Sequence, residues 1–238
     1  MKIHLYTFVY NDIDILPFFL KYYTPIVDKM IFYDSASTDG TLDLIKQHNG
    51  EVRQTGHKIW DWDAGLPLMN NMWKGDKCDY IIFADVDEIY YHPNLRKLLE
   101  LNKDRIDIYQ MEGFQMVSRE FPKLGSNILD INMGIPLPLH NKYRIFNPKC
   151  DIEYINAHDI KTSSEKINRF VIKLLHYKYL GIDIMVKRAA KIKARVPANS
   201  FCKGIGGNIL KVYPAFVKTR QEYEVEINQM LKDARRVI

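Results

Sequence analysis

Asp85-Val86-Asp87-Glu88 places three carboxylates within four residues. Charges of one sign held so close oppose folding unless something positive neutralises them. A hard divalent cation with oxygen ligands is the natural partner, and one held by only one or two carboxylates keeps positions open for diphosphate oxygens. Alternate side chains on a strand lie about 7 Å apart on one face. That is too far for Asp85 and Asp87 to grip one small ion, so the chain must turn here, or one Asp must act through water or on the ligand itself. Without metal, the crowding is expected to cost the fold stability. An ordinary solvated turn is the bland alternative.

A second polar stretch, Tyr33-Asp34-Ser35-Ala36-Ser37-Thr38-Asp39-Gly40-Thr41, offers Asp34 as an acceptor for a base N–H or a ribose hydroxyl. The rest reads as turn and cap chemistry. Asp61 and Asp63, flanked by Trp60 and Trp62, suit either a sugar pocket or an ordinary loop. Lys187, Arg188, Lys191, Lys193 and Arg195 read as a solvated helix face, with attraction to phosphate or an anionic membrane as the alternative.

The elements that must position these residues are legible as runs. Ile3 to Val9, Met30 to Tyr33 and Tyr80 to Ala84 are short apolar segments, with a weaker one around Val52, and all read as buried strands. Helical spacing joins Ile15, Leu16, Phe19, Leu20 and Tyr23 after a cap at Asp12, and a second helix follows Thr38 or Asp39. A helix from about Leu66 to Trp73 completes a β-α alternation. Such an order predicts an α/β fold with a mostly parallel sheet and helices on both faces. Ligands in these folds bind beyond the carboxyl ends of the strands, where Tyr10-Asn11-Asp12, Asp34, Asp61 to Asp63 and Asp85 to Asp87 all fall. Asn94 to Leu101 reads as a helix and Ile106 to Met111 as a strand. Phe121 to Asn141 reads as a loop, with β-like pieces at Tyr143 to Phe146 and Ile152 to Ala157. Ile182 to Arg195 and Gln221 to Val237 read as helices.

These 238 residues bound the function. The net charge is 34 − 29 = +5, 47% of residues are hydrophobic and 26% charged, an ordinary globular mixture rather than a disordered one. No recognition helix or RNA-binding aromatic strand pair is present, so no nucleic-acid partner is expected. Cys78, Cys150 and Cys202 are scattered, which suits a reducing compartment. The N-terminal apolar run is broken by Asn11, Asp12 and Asp14, unlike a signal peptide, and no window nears the roughly 18 apolar residues of a membrane span. A cytoplasmic protein is expected, with peripheral contact on the inner membrane face as the open alternative.

Tyr10-Asn11-Asp12-Ile13-Asp14-Ile15-Leu16-Pro17, Tyr33 to Thr41 and Ala84-Asp85-Val86-Asp87-Glu88 together resemble three motifs of the glycosyltransferase family 2-like group, which has the GT-A fold. The resemblance covers about residues 1 to 92, with weaker pieces at Lys142 to Phe146, Asn156-Ala157-His158 and His176-Tyr177. Asn11-Asp12 departs from the group's Asn-Glu, and no clear Glu-Asp pair marks a catalytic base.

The resemblance implies a glycosyltransferase using a nucleotide-sugar, most often a UDP-sugar, to extend an acceptor glycan or lipid-linked sugar. It implies that Phe8, Tyr10, Asn11 and Asp34 hold base and ribose. Asp85 would reach the ribose or a metal-bound water, and Asp87 the Mn²⁺ or Mg²⁺. A third metal ligand would come from His176 or His158, with His176 preferred because it follows the strand-like Val171 to Leu175. Lys142 and Arg144 would touch phosphate. Glu112, Asp130 and Asp159 are the carboxylates available as base, one at most. Residues 1–215 would form the catalytic domain, divided at 92 into donor and acceptor halves, with 216–238 a C-terminal helix. The competing enzyme reading is a haloacid-dehalogenase-like phosphatase with Asp85 as nucleophile; the non-enzymatic one is a basic nucleic-acid or membrane-binding module.

Overall fold

A computed structural model describes residues 1–56, 62–195, 201–203, 209–211 and 217–238. Trp60 and Asp61 lie outside the described residues, and Trp62 and Asp63 enter only as the start of helix α3.

The first half alternates as its apolar runs require. Strands β1 (Ile3–Val9), β2 (Lys29–Asp34), β3 (Glu51–Gln54) and β4 (Tyr80–Phe83) are linked through helices α1 (Leu16–Tyr23), α2 (Thr41–Gln47) and α3 (Trp62–Asn71). They pair in parallel in the order β4-β1-β2-β3. Both faces of β1 are covered. Ile3, Leu5 and Val9 pack with Leu16, Phe19 and Leu20 of α1, and Tyr6 packs with Met69 of α3 and Trp73. That two-sided burial is why the strand reads as a near-continuous apolar run.

The α1 start departs from the expected Asp12 cap. The N-cap position is Ile15, without a side-chain hydrogen bond. The Asp12 carboxylate instead accepts the Tyr10 N–H at 2.9 Å, and its carbonyl accepts Leu16 N–H at 2.9 Å. At α2 the N-cap is Gly40, whose φ of 92° few side chains tolerate, and Asp39 one residue earlier takes the Thr41 N–H at 3.1 Å.

Beyond β4 most of the added sheet pairings are antiparallel, with one long parallel exception. β5 (Glu88–Tyr91) and α4 (Leu95–Asn102) lead to β6 (Ile108–Ser118), β7 (Met133–Pro136) and β8 (Tyr143–Phe146). β9 (Glu153–Tyr154) and β10 (Ile160–Lys161) form a small hairpin. β11 (Ile167–Leu180) then runs parallel to β6 and antiparallel to β5. Helix α5 (Ile182–Arg195) precedes a pair of short strands, β12 (Phe201–Lys203) and β13 (Ile209–Lys211). The expected C-terminal helix is shorter: α6 (Arg220–Asp233) opens with a capping box at Thr219 and Glu222, and the chain ends in β14 (Arg235–Arg236). β14 pairs with β7, and Val237 N–H reaches Asn132 O, so the sheet edge captures residues that helical spacing alone would have continued. The parallel core of the expected α/β sheet is thus its β4-β1-β2-β3 run.

No described helix is long and apolar enough to cross a membrane.

Candidate functional site

The acidic cluster lies where β4 stops. Glu88 N–H bonds the Asp85 carbonyl at 2.8 Å, closing a turn that sends the chain back as β5. This is the turn that the Asp85–Asp87 spacing demands, and it parts the carboxylates. Lys142 Nζ sits 2.5 Å from Glu88 Oε1 and 3.2 Å from Asp85 Oδ2. Asp87 Oδ2 takes Arg188 Nη2 at 2.7 Å and faces His176 Nε2 at 3.5 Å.

Three carboxylates therefore meet three cations, since the Arg144 guanidinium also lies close enough to act on Asp85. Burial works against ionised Asp87, yet Arg188 and His176 hold its carboxyl well below the usual range. Burial likewise opposes ionised Asp85, and Lys142 and Arg144 outweigh it. The acids still crowd one another, since Asp87 pushes the Asp85 carboxyl up, but the protein's own cations outweigh that repulsion. Lys142 is 4% exposed and lies under the acids. Arg144, 2% exposed, stacks over Phe83 and Tyr154 and donates to Ala157 O at 2.8 Å.

The histidines converge on the same turn. β11 pairs with β5 so that His176 stands opposite Glu88. His140 stacks at 4.8 Å on His176, and His158 meets His140 edge-on at 5.0 Å. Ligand atoms of Glu88, His140 and His176 lie within 4.8 Å of one another. The Nδ1 atoms of all three histidines are buried without a hydrogen-bond partner. Burial pushes His140 down to about 2 and His158 to about 4, so both rings are neutral and able to ligate. Carboxylate and imidazole with uncommitted nitrogens fit a divalent ion. His140 went unnoticed in the sequence because it ends a single 3₁₀ turn, Pro138–His140, too short to carry a pattern. That turn can lie against β6 because residue 113 is glycine: a Cβ there would stand 2.6 Å from Leu137 O.

The loops after β1 and β2 are laced together beside this cluster. Asp34 is 1% exposed and receives the N–H groups of Ala36 and Ser37, plus Gln54 Nε2 at 3.3 Å. Asn11, at φ 51°, donates its N–H to Ser37 Oγ and accepts Thr38 N–H at 2.6 Å. Phe8 packs edge-on against Tyr33 and Phe83, and the Arg195 guanidinium covers the Tyr10 ring at 3.5 Å. Helix α5 is thus no freely solvated face: its cations reach Asp14, Asp87 and Asn11. Glu112 lies on β6, opposite Lys173 of β11. Asp130 is exposed in a single 3₁₀ turn. Asp159 accepts Asn156 Nδ2 at 2.9 Å in the loop that carries His158.

Asp12 yields a pH prediction. Burial raises its carboxyl to about 6, against the opposing pull of Tyr10 N–H, Arg188 and Lys191. The unfolded value is about 3.9. A raised carboxyl contributes stability that is fully present below about pH 4 and lost as pH rises through about 6. Asp12→Asn, which keeps an acceptor for Tyr10, is expected to melt several degrees above the native protein at pH 8. The gap should close near pH 4, as followed by circular dichroism.

Comparisons with known proteins find distant relatives and one family. A glycosyltransferase family 92 protein of Arabidopsis thaliana is 28% identical over 95 residues, 38% of this chain and 16% of that protein. S. aureus TarS (1–349) superposes with a TM-score of 0.49 at 15% identity, covering 80% of this chain and 65% of that one. The chain thus spans less than two thirds of either. Glucosyl-3-phosphoglycerate synthase from Mycobacterium tuberculosis, in complex with Mn²⁺, UDP and glucosyl-3-phosphoglycerate, superposes with a TM-score of 0.48 at 13% identity, covering 88% and 86%. Residues 8–152, more than half of the chain, match the family described as Glycosyl transferase family 2. That match runs from the β1 strand end through the acidic turn to the β9 approach, and on it the chain belongs to glycosyl transferase family 2.

Proposed function

We propose that this protein is a divalent-metal-dependent glycosyltransferase that moves a sugar from a UDP-sugar to a hydroxyl of a glycan or lipid-linked acceptor. One observation carries the reading: Asp87, in the turn just before β5, faces His176 of β11 at 3.5 Å, beside imidazoles with uncommitted nitrogens. Asp87 and His176 would hold the ion, with His140 or His158 within reach. Imidazole among the donors favours Mn²⁺ over the harder Mg²⁺. When bound, the metal stabilises charge that grows on the diphosphate as the glycosidic bond breaks. Asp34, with Phe8, Tyr10 and Asn11, positions base and ribose at the ends of β1 and β2. Asp85, with a side chain 43% exposed, is open to the ribose or to metal-bound water. Lys142 fixes Asp85 and Glu88 in place. Of the three carboxylates considered as base, Asp159 is favoured, because its loop also delivers His158 to the cluster. Residues 1–92 would supply the donor half and 93–215 the acceptor half. Family membership displaces the phosphatase alternative.

Calorimetry with UDP, GDP and dTDP, with and without Mn²⁺, tests this. UDP is expected to bind, and more tightly with Mn²⁺. Asp34→Ala should weaken that binding by about 1–3 kcal/mol through the unpaired ligand group. It should also lower the melting temperature, since Ala36 and Ser37 lose their acceptor, whereas Asp34→Asn should largely keep the fold. Metal-independent or absent binding of all three nucleotides removes the proposal.

A further inference from the structure

Helix α5 aims a row of cations at the loops that follow β1 and β4. Lys187 pairs with Asp14 at 2.7 Å, Arg188 with Asp87 at 2.7 Å, and Lys191 donates to the Asn11 carbonyl. Lys187, Lys191 and Arg195 recur every fourth residue and so share one face, with Arg188 beside them. The opposite side of the helix is anchored: Met185 and Ala189 pack with Val117, Tyr179, Tyr223 and Ile227. The cations therefore stand on a fixed element, directly over the loops that follow β1 and β4.

One of these contacts competes with the proposed chemistry. Arg188 binds Asp87 Oδ2, the same oxygen that faces His176 Nε2. A guanidinium and a divalent cation repel each other strongly at such range. A nucleoside diphosphate relieves the conflict, because its oxygens match the planar fork of a guanidinium at least as well as a carboxylate does. We propose that Arg188 is a stand-in cation: it neutralises Asp87 in the donor-free protein and passes to the diphosphate when metal and donor bind. This rests on reading Asp87 as the metal ligand. Its consequence is thermodynamic. Metal alone must displace Arg188 from Asp87 and leave it only the pull of the Asp12 carboxyl, whereas metal with UDP supplies a diphosphate anion, so each strengthens the binding of the other by the same factor. Asp87 is then never left buried and unpaired at any stage.

Titration of the full chain with Mn²⁺, in the absence and presence of UDP, reads this coupling by calorimetry. The native protein is expected to bind Mn²⁺ weakly alone and at least tenfold more tightly with UDP. Arg188→Met should bind Mn²⁺ alone at least tenfold more tightly than the native protein, and its gain from UDP should shrink. Arg188→Lys, which keeps a cation, should stay near the native values. If Arg188→Met does not fold, Arg188→Gln, neutral but still a hydrogen-bond donor, carries the same expectation. A neutral variant that binds Mn²⁺ no more tightly, while the native protein still forms a Mn²⁺–UDP complex, overturns the stand-in role and leaves the metal reading standing. A native protein that binds no Mn²⁺ with or without UDP removes both.

Discussion

Asp87→Asn is expected to lower metal-dependent donor hydrolysis or sugar transfer roughly a hundredfold or more, the scale of losing one charge-stabilising group at a reacting centre. Asn keeps the shape and one acceptor oxygen but not the charge that holds a hard cation. The metal-free protein is also expected to change, in the direction opposite to simple acid crowding. Asp87 is only 12% exposed and bonded to Arg188, so neutralising it leaves that guanidinium without its anion. A carboxyl held well below its unfolded value contributes stability that is present above about pH 4 and lost as pH falls towards its folded value. The variant should therefore melt below the native protein at pH 7, and the gap should narrow in acid. Nucleotide-dependent turnover with Mn²⁺, and melting scans from pH 3 to 8, measure both effects. Native-like metal-dependent turnover in the variant would return the acidic turn to a purely structural role.

The largest stability effect should come from Lys142→Met. Lys142 Nζ and Glu88 form a buried pair, and Glu88 has no exposed surface. Removing only the cation strands a carboxylate in the core, at a cost of about 3–5 kcal/mol. For a chain of this size that is a melting shift of roughly 6–20 °C. Combining it with Glu88→Gln should recover much of the loss, because Gln can still accept from the Tyr90 hydroxyl, 3.0 Å from Glu88 Oε2. Urea melts of the two single variants and the double variant give the coupling directly. Near-additive losses would show that the pair is not the source of the stability.

The sequence was readable where burial writes a local pattern. β1, β2 and β4 are apolar runs because helices cover both their faces, and α5 spans Ile182–Arg195 as its spacing predicts. The strand-end position of Asp34, Asp85 and Asp87 follows from those runs. β5 escaped notice because it begins inside the acidic motif at Glu88. β7 and β14 escaped because runs of four and two residues are too short to carry a period of their own. The site's remaining members were illegible for a different reason. His140 reaches the cluster from a single 3₁₀ turn, and Arg188 from a helix, 101 residues beyond Asp87. Each reads locally as an ordinary polar residue, and only strand pairing and helix packing reveal its partner.

The β8 strand has a consequence for how this enzyme can move. It pairs with β4 on one side and β6 on the other, so the strands of the first and second halves of the chain belong to one hydrogen-bonded sheet. A hinge between the two halves would have to break that ladder, and rigid-body closure of the kind seen between separate lobes is closed to this architecture. Any sealing of the cleft around a bound sugar must come from side chains and segments at the carboxyl rim, over a floor that stays still. Catalytic geometry would then be set when the sheet folds, and substrate capture would depend on the rim alone.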